Sequence, residues 1–387
     1  MRERRSAVKS AENCRYFKKC GACQLRNMTY EEQLSYKMSR EIKLLGKFCH
    51  VDEIVPAESP AAYRNKAQAA YFEQGGKVYY GIYQSSTGRI IRCEGCPVET
   101  PAAWELFSGI KNLMNELKLH AYDPSTGRGF LRHVLIRQGF ATGEIMVVLV
   151  SASAVFPKEK LFVKLLTERF PQISTVLHNV NDTDTPLWLT DHERVLYGNG
   201  YITDILCGCV FRISSRSFYQ INPVQTGKLY TKAMELAGLT GKEKVLDTYS
   251  GIGTIGIIAS KKASKVVCVE TNRAAVEDGI WNAKCSGIRN VRFYAFDTVK
   301  FIRNALSKGE KYDVVFVDPP RAGCNKEFLS KLMTLAPKKI VYISCNPETL
   351  ARDLSYLRGK YKVRRIVPYD MFPFTNHVET VAQLIRL

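Results

Sequence analysis

The second half of the chain repeats a strand followed by a helix, and this repeat constrains the fold more than any other feature. From residue 214 onward, short runs rich in valine, such as Lys265–Glu270, alternate with longer amphipathic stretches, such as Arg273–Ser286. Parallel strands need a long crossover, usually a helix, so repeated βα units build a doubly wound, mainly parallel sheet. We therefore predict an α/β domain over residues 214–387.

Four acidic residues stand where predicted strands of this domain end. They are Asp247, Glu270, Asp297 and Asp318. In open α/β sheets the ligand binds outside the carboxyl ends of the strands, where an acid can accept ribose hydroxyls or face an adenine. An acid at such a position can also cap a helix. Four of them at successive strand ends predict a shared ligand site, with Glu270 at the ribose and Asp297 at the adenine.

The first predicted strand leads into Gly251-x-Gly253-x-x-Gly256 and then into a helix. Glycines there let the backbone approach a nucleotide-type cofactor, and the motif alone fits both NAD and S-adenosylmethionine. The run Asp318-Pro319-Pro320 makes a rigid loop that is typical of methyltransferases acting on nucleic acid and has no use in hydride transfer. The two motifs together favour S-adenosylmethionine.

Cys345 follows the predicted strand Ile340–Ile343 at the same edge of the sheet. Uracil C5 is too weakly nucleophilic to accept a methyl group, but a thiolate added to C6 makes C5 enolate-like. A base must then remove the C5 proton, and Glu379, at the start of the last predicted strand, can supply it. The alternative interpretation is an inert buried thiol and an edge-strand charge.

The chain carries 56 Lys and Arg against 37 Asp and Glu, a formal net charge of +19, which indicates a polyanionic partner. Residues 61–213 are predicted to be mostly β, with interleaved basic and aromatic residues such as Tyr63, Arg64, Lys66, Arg132 and His133. Such a surface suits RNA, although aromatic residues also fill sheet cores.

Nothing in the sequence predicts export or a membrane partner. The charged N-terminus is not followed by an apolar segment, and no run of about 18 apolar residues occurs. Twelve cysteines in a chain of this kind are more often free, metal-bound or catalytic than disulfide-bonded. We expect a cytoplasmic protein.

Three cysteines, Cys14, Cys20 and Cys23, lie within ten residues of one another and can converge on one metal centre. Cys96, which precedes a proline, is our preferred fourth ligand, with Cys93 as the reserve. Both an iron–sulfur cluster and a zinc ion fit four cysteines.

A helix is predicted between this segment and the β-rich region, over Thr29–Lys47. Its apolar residues recur at helical spacing, from Tyr30 to Leu45, and Thr29 with Glu32 resembles a capping box. We interpret this helix as a packing element.

The whole set of motifs resembles the RNA uracil-5-methyltransferases of the RumA/TrmA type, over nearly the whole chain. The motifs that carry the resemblance are the cysteines named above, Tyr63-Arg64-Asn65-Lys66, Ser217-Phe218-Tyr219-Gln220-Ile221-Asn222, Asp247-x-Tyr249-x-Gly251-x-Gly253, Asp318-Pro319-Pro320-Arg321, Ser344-Cys345-Asn346-Pro347 and His377-Val378-Glu379-Thr380.

The resemblance implies a class I S-adenosylmethionine-dependent methyltransferase, with a Rossmann-like doubly wound sheet. It further implies the following roles: Cys345 as nucleophile, Glu379 as general base, a [4Fe–4S] cluster on the four cysteines, and contacts to S-adenosylmethionine from Gln220, Tyr249, Glu270 and Asp318, with Asp297 near the adenine.

The expected organisation is an iron–sulfur segment (1–28), a helix packing on the catalytic domain (29–60), a central RNA-binding domain (61–213) and a catalytic domain (214–387). Only 13 residues precede Cys14, so we expect no N-terminal TRAM domain. The family suggests a monomer.

The cluster cysteines favour 23S rRNA as the substrate. The same chemistry on tRNA is the nearest alternative. A non-catalytic iron–sulfur RNA-binding protein is the alternative from another class.

Overall fold

The computed structural model describes residues 14–183 and 188–387. They form two compact units. The first unit contains the described residues up to Asn27, together with Ser59–Ile205 and Ile213–Arg216, and the second contains Met28–Glu58, Leu206–Arg212 and Ser217–Leu387. Among the helices of the described ranges, none combines the length and the apolar character that a membrane span requires. The predicted segment 1–28 begins outside the described residues.

The elements are numbered in chain order. Up to the middle of the chain they are α1 (Phe17–Cys20), α2 (Tyr30–Leu45), β1 (Lys66–Gln74), β2 (Lys77–Tyr83), β3 (Ile90–Arg92), α3 (Pro101–Glu116), β4 (Leu131–Gln138), β5 (Ile145–Ser151), α4 (Glu159–Arg169), β6 (Ile173–Val180), β7 (Glu193–Tyr197), β8 (Tyr201–Leu206) and β9 (Cys209–Ser214). The remaining elements are α5 (Pro223–Ala237), β10 (Lys244–Thr248), α6 (Thr254–Ser260), β11 (Lys265–Glu270), α7 (Arg273–Cys285), β12 (Val291–Ala295), α8 (Thr298–Ser307), β13 (Val314–Val317), α9 (Lys326–Leu335), β14 (Lys339–Ser344), α10 (Pro347–Leu357), β15 (Tyr361–Tyr369) and β16 (Glu379–Arg386).

The first unit is built on a sheet in the order β3-β2-β1-β4-β5-β6-β7. Its neighbours are antiparallel except β5 and β6, which are parallel and joined through α4. Two hairpins turn over Gly75–Gly76 and over residues 139–143, within the region predicted to be mostly β. Alternate residues of β1, namely Ala67, Ala69 and Tyr71, pack in one core with α3 and α4, because successive side chains of a strand point to opposite faces.

The second unit is built on a sheet in the order β12-β11-β10-β13-β14-β16-β15. The first five strands are parallel, and β16 is antiparallel to both of its neighbours. This arrangement confirms the predicted doubly wound, mainly parallel sheet. Strands β8 and β9 form a separate two-stranded sheet.

Helix α2 begins with the predicted capping box. Its buried face includes Tyr30 and Leu45, as predicted, but also polar residues that the apolar spacing did not predict. The Thr29 hydroxyl accepts a hydrogen bond from the Glu32 N–H, and the Glu32 carboxylate accepts one from the Thr29 N–H. Ile42, predicted to pack, is 52% exposed. The buried face instead carries four polar side chains, Tyr30, Gln33, Lys37 and Glu41, before it reaches Leu45.

Candidate active site

The thiol of Cys345 lies in the tight connection between β14 and α10. The Ser344 hydroxyl accepts a hydrogen bond from the Asn346 N–H at 3.2 Å. The Asn346 side chain then caps α10 by accepting from the Glu348 N–H at 3.1 Å, and Pro347 begins the helix. Proline favours this first helical position because its missing N–H would have no partner there. The predicted strand, turn and proline stop are therefore confirmed, and Cys345 stands at the carboxyl edge of the sheet.

Glu379 comes to the same edge because β16 runs antiparallel to β14. Ser344 is paired with Thr380 in the register of these strands. Cys345 follows Ser344 and Glu379 precedes Thr380, so each lies one residue beyond this last opposed pair. Directly opposed residues of antiparallel strands extend to the same side. The carboxylate of Glu379 accordingly raises the pKa of the Cys345 thiol.

The loop after β13 joins this pair. The Arg321 carbonyl accepts hydrogen bonds from the Asn346 side-chain amide at 3.4 Å and from the Thr349 hydroxyl at 3.3 Å. These two bonds tie the loop that begins at Asp318 to the turn that carries Cys345. The guanidinium of Arg321 also contacts the ring of His377 at 2.6 Å. The two loops therefore form one polar edge around the thiol.

Burial and like charges raise the pKa values of the acidic groups at this edge. Burial raises the pKa of Asp318 to about 7 and holds the pKa of Glu379 well above its usual range, with Asp318 adding to the shift. The pKa of Cys345 rises to about 11, first through burial and then through Glu379 and Asp318. Arg321 and the backbone N–H of Cys345 lower that pKa without offsetting the rise. The thiol is therefore protonated at neutral pH in the free protein.

The glycine-rich loop and Glu270 form a second part of the same edge. Gly251 has a left-handed φ of +53° and faces open space, where a ligand can approach its backbone. Its N–H donates to a Glu270 carboxylate oxygen at 3.0 Å, and the other oxygen accepts from the Asn272 N–H at 2.8 Å. The carboxylate of Glu270 is thus held in a fixed orientation at the end of β11.

The remaining predicted cofactor residues also lie in the second unit. Asp297 caps α8 by accepting from the Lys300 N–H at 2.9 Å, so the helix-capping interpretation holds for one of its oxygens. Gln220 is buried and hydrogen-bonds with Tyr230. The ring of Tyr249 packs against Phe328, with ring centroids 5.3 Å apart.

Two further groups at this edge, Ser250 and Arg321, had no predicted role, and Asp247 was predicted at the ligand site without a specific contact. The Asp247 Oδ2 accepts from the Gly256 N–H at 2.8 Å, and burial raises the pKa of this acid to about 8. Within the described chain, Asp247 Oδ1 and the Ser250 hydroxyl are buried without a hydrogen-bond partner. Buried polar atoms without partners are costly, so these two are suited to a ligand. The sequence signal that could have identified them is their position within the predicted motifs.

The predicted metal ligands gather in the first unit. The Cys20 carbonyl accepts from the Ser85 N–H at 3.1 Å and the Tyr16 hydroxyl accepts from the Glu94 N–H at 3.1 Å, which joins the two cysteine-bearing segments. A charge on Cys14 raises the pKa of Cys20 and of Cys23, and a charge on Cys20 raises that of Cys23. A charge on Cys23 raises the pKa of Cys96. However, across residues 14–183 and 188–387 no group of three or more metal-binding side chains is arranged around a single ion.

Cys93 and Cys96 are both placed near the cysteine cluster. Cys93 is buried and its thiol lies 3.4 Å from the Gly95 carbonyl, while burial raises its pKa to about 12. It interacts electrostatically with Cys20 and Cys14, whereas Cys96 interacts with Cys23. The choice of Cys96 over Cys93 therefore stays a prediction.

Known proteins similar to this chain agree on one family. The family model described as tRNA (uracil-5-)-methyltransferase matches residues 190–387. An uncharacterised RNA methyltransferase of Oceanobacillus iheyensis is 41% identical over 94% of this chain and 81% of its own length. One from Caldanaerobacter subterraneus is 40% identical over 97% of this chain and 84% of its own.

A solved structure extends the similarity to three dimensions. The Pyrococcus abyssi tRNA (uracil-54, C5)-methyltransferase, crystallised with S-adenosyl-L-homocysteine, matches this chain with a TM-score of 0.80 at 29% identity. The match covers 95% of this chain and 86% of the archaeal one.

We predict that Cys345 reacts slowly with iodoacetamide at pH 7.5 and faster as the pH rises toward 11, because its raised pKa leaves little thiolate. Glu379→Gln should accelerate the reaction by removing a charge that raises this pKa, and Arg321→Ala should slow it. Mass spectrometry of the modified peptides measures each rate, with exposed Cys285 as the internal reference. Equal rates for Cys345 and Cys285 at pH 7.5 would contradict the prediction.

Proposed function

Since the chain belongs to the tRNA (uracil-5-)-methyltransferase family and has the fold of class I methyltransferases, we propose that it methylates C5 of a uridine in RNA through a covalent intermediate. The family membership confirms that the chain is an RNA uracil-5-methyltransferase and an enzyme, while the RumA/TrmA type stays a prediction. It rejects the alternative of a non-catalytic iron–sulfur RNA-binding protein.

The observation that carries the proposed mechanism is the position of Cys345 and Glu379 beside the opposed residues Ser344 and Thr380 of β14 and β16, where the charge of Glu379 adds to the effect of burial on the pKa of Cys345. Cys345 first loses its thiol proton to solvent. The resulting thiolate adds to C6 of the uracil, and C5 becomes nucleophilic as the enolate forms. After methyl transfer, Glu379 accepts the C5 proton, and the returning electrons expel the thiolate from C6. Cys345 thus attacks C6, and Glu379 removes the proton from C5.

S-adenosylmethionine supplies an electrophilic methyl group on a sulfonium when it is bound. We assign its ribose to Glu270, whose carboxylate is already oriented by Gly251, and its adenine to Asp297. Gln220, Tyr249 and Asp318 complete the proposed contacts. Asp318 also contributes through its charge. Burial raises its pKa, and a cation beside it favours the ionised carboxylate.

Charge in the first unit supports RNA as the partner. Lys66 on β1 is directly opposite Arg137 on β4, and like charges in that position repel. Burial lowers the pKa of Lys66 to about 8, with Arg137 and Arg64 adding to the shift. A phosphate would relieve this repulsion. Tyr63, by contrast, is only 4% exposed and packs inside the unit, as the alternative interpretation held.

We propose 23S rRNA as the substrate on the strength of the cysteine pattern. Transfer RNA is the second candidate, because the Pyrococcus abyssi relative is a tRNA enzyme at 29% identity and a TM-score of 0.80.

Substitution of the two proposed catalytic residues tests the mechanism. Cys345→Ala should abolish 5-methyluridine formation, because no group then activates C5. Glu379→Gln should stop the reaction after methyl transfer and leave RNA covalently attached to Cys345. Mass spectrometry of digested RNA and denaturing gels measure the two outcomes. Cys285→Ser is the matched control and should behave as the unsubstituted protein, while residual methylation by Cys345→Ala would refute the covalent mechanism.

The RNA class is tested separately with the unsubstituted protein. We expect methyl transfer from radiolabelled S-adenosylmethionine to fragments of 23S rRNA and at most background transfer to tRNA transcripts. The reverse result would establish tRNA as the substrate and leave the chemistry intact.

We further propose that Cys14, Cys20, Cys23 and Cys96 hold a [4Fe–4S] cluster. Support comes from the electrostatic interactions among these thiols. Burial raises the pKa of Cys20 and of Cys23, and Arg26, which is itself buried, acts against this rise.

Anaerobic purification should yield a brown protein with broad absorbance near ~400 nm and about four irons per chain. Cys20→Ser should lose most of this iron, whereas Cys49→Ser, in the other unit, should retain it. Comparing Cys93→Ser with Cys96→Ser identifies the fourth ligand by iron content. A colourless protein with stoichiometric zinc would refute the cluster.

A further inference from the structure

Helix α2 holds the segment that leads into β16 through its polar face. The Asp370 carboxylate accepts from the Lys37 ammonium at 2.6 Å and from the Tyr30 hydroxyl at 2.8 Å. The Gln33 side-chain carbonyl accepts from the Phe374 N–H at 2.8 Å. This part of the helix therefore fixes the start of the segment by directional bonds, although the sequence suggested a simple packing role.

Glu41 completes this face and hydrogen-bonds with the residue that follows the proposed catalytic base. Its Oε2 accepts a hydrogen bond from the Thr380 hydroxyl at 2.9 Å. Its Oε1 is buried and has no hydrogen-bond partner among the described residues. Burial raises the pKa of Glu41 to about 7; Arg40 lowers it, and Glu348 raises it.

A buried carboxyl group with one hydrogen bond is a poor way to stabilise a fold. Arg40, which lowers the pKa of Glu41, donates its own hydrogen bonds to Glu348 at 2.6 Å and to the Asn376 carbonyl at 3.0 Å. An apolar side chain of similar size would avoid the cost of burying Glu41. The presence of Glu41 therefore indicates a use for its bond to Thr380.

That use follows from the geometry of the strand. Glu379 and Thr380 are consecutive residues at the start of β16, so their side chains extend to opposite faces. Glu379 extends toward the side of Cys345, and Thr380 extends toward α2, where Glu41 binds it. Glu41 thus restrains, from behind, the backbone that carries Glu379. Glu41 also contributes to the raised pKa of Glu379.

We propose that Glu41 is a positioning residue that acts through Thr380 to hold Glu379 in place for removal of the C5 proton. This inference rests on the proposed role of Glu379 as the base. It predicts a defect confined to the step after methyl transfer, because addition of the Cys345 thiolate does not use Glu379.

The test separates that step from those before it. Turnover is measured on uridine RNA, and covalent complex formation is measured on 5-fluorouridine RNA, where fluorine replaces the proton that the base removes. Glu41→Ala should lower turnover ~100-fold, the effect of displacing a reacting group by about 1 Å. It should form the fluorouridine complex within about twofold of the unsubstituted rate and accumulate covalent complex on ordinary uridine RNA, since misplacement of the base delays only release.

Two further variants guard against a general structural effect. Glu41→Gln keeps a neutral oxygen that can accept from Thr380 and should restore turnover to within about threefold, as conservative retention of the acceptor predicts. Thr380→Val removes the hydroxyl at constant shape and should reproduce the defect of Glu41→Ala, which keeps the test valid even when Glu41→Ala fails to fold. Ser39→Ala, on the exposed side of α2, is the matched control with unsubstituted kinetics.

Equal slowing of turnover and complex formation in both Glu41→Ala and Thr380→Val would overturn the inference, and so would unchanged turnover. Failure of the proposed function looks different. In that case the unsubstituted protein itself would form no complex with fluorouridine RNA.

Discussion

The candidate site depends on one feature of the sheet, the insertion of β16 between β14 and β15 in the antiparallel direction. In a parallel sheet every strand brings its carboxyl end to the ligand-binding edge. An antiparallel strand brings its first residue there instead. Glu379 begins β16, and it therefore meets the turn after β14, which carries Cys345. The single reversed strand of this sheet therefore brings the proposed base to the edge that carries Cys345.

Assembling acids at this edge has an electrostatic consequence. Asp318, Glu379 and Asp247 all have raised pKa values, chiefly through burial and partly through one another. The Arg321 guanidinium lowers the pKa of both Cys345 and Glu379. A bound cation favours the ionised forms of these acids, whereas a neutral ligand does not. A sulfonium cofactor thus suits the charge of the site as well as its glycine loop, and it lowers the cost of forming the Cys345 thiolate.

Local patterns predicted the parts of this architecture that are set by neighbours in sequence. The strand into Cys345, the glycine loop after β10 and the capping box of α2 all follow from short-range periodicity and turn chemistry. The buried face of α2 could not be found in this way. Lys37 is buried because it pairs with Asp370, which lies more than 300 residues later, and apolar periodicity assigns a lysine to solvent. The pairing of β14 with β16 was likewise beyond reach, since no local signal specifies which strands become neighbours.

The polar contacts of α2 explain why the loop before β16 has one arrangement. Apolar faces of helices can pack in several registers at little cost, whereas a buried ion pair accepts only the register in which both charges are satisfied. Lys37 with Asp370 sets one point of the loop, and Gln33 with Phe374 sets a second. Phe374 has a left-handed φ of +67°, a conformation that a bulky residue adopts only when its surroundings impose it. The segment between Tyr369 and Glu379 is fixed at these points and again at Thr380. The orientation of Glu379 therefore depends on α2, which lies more than 300 residues earlier in the sequence.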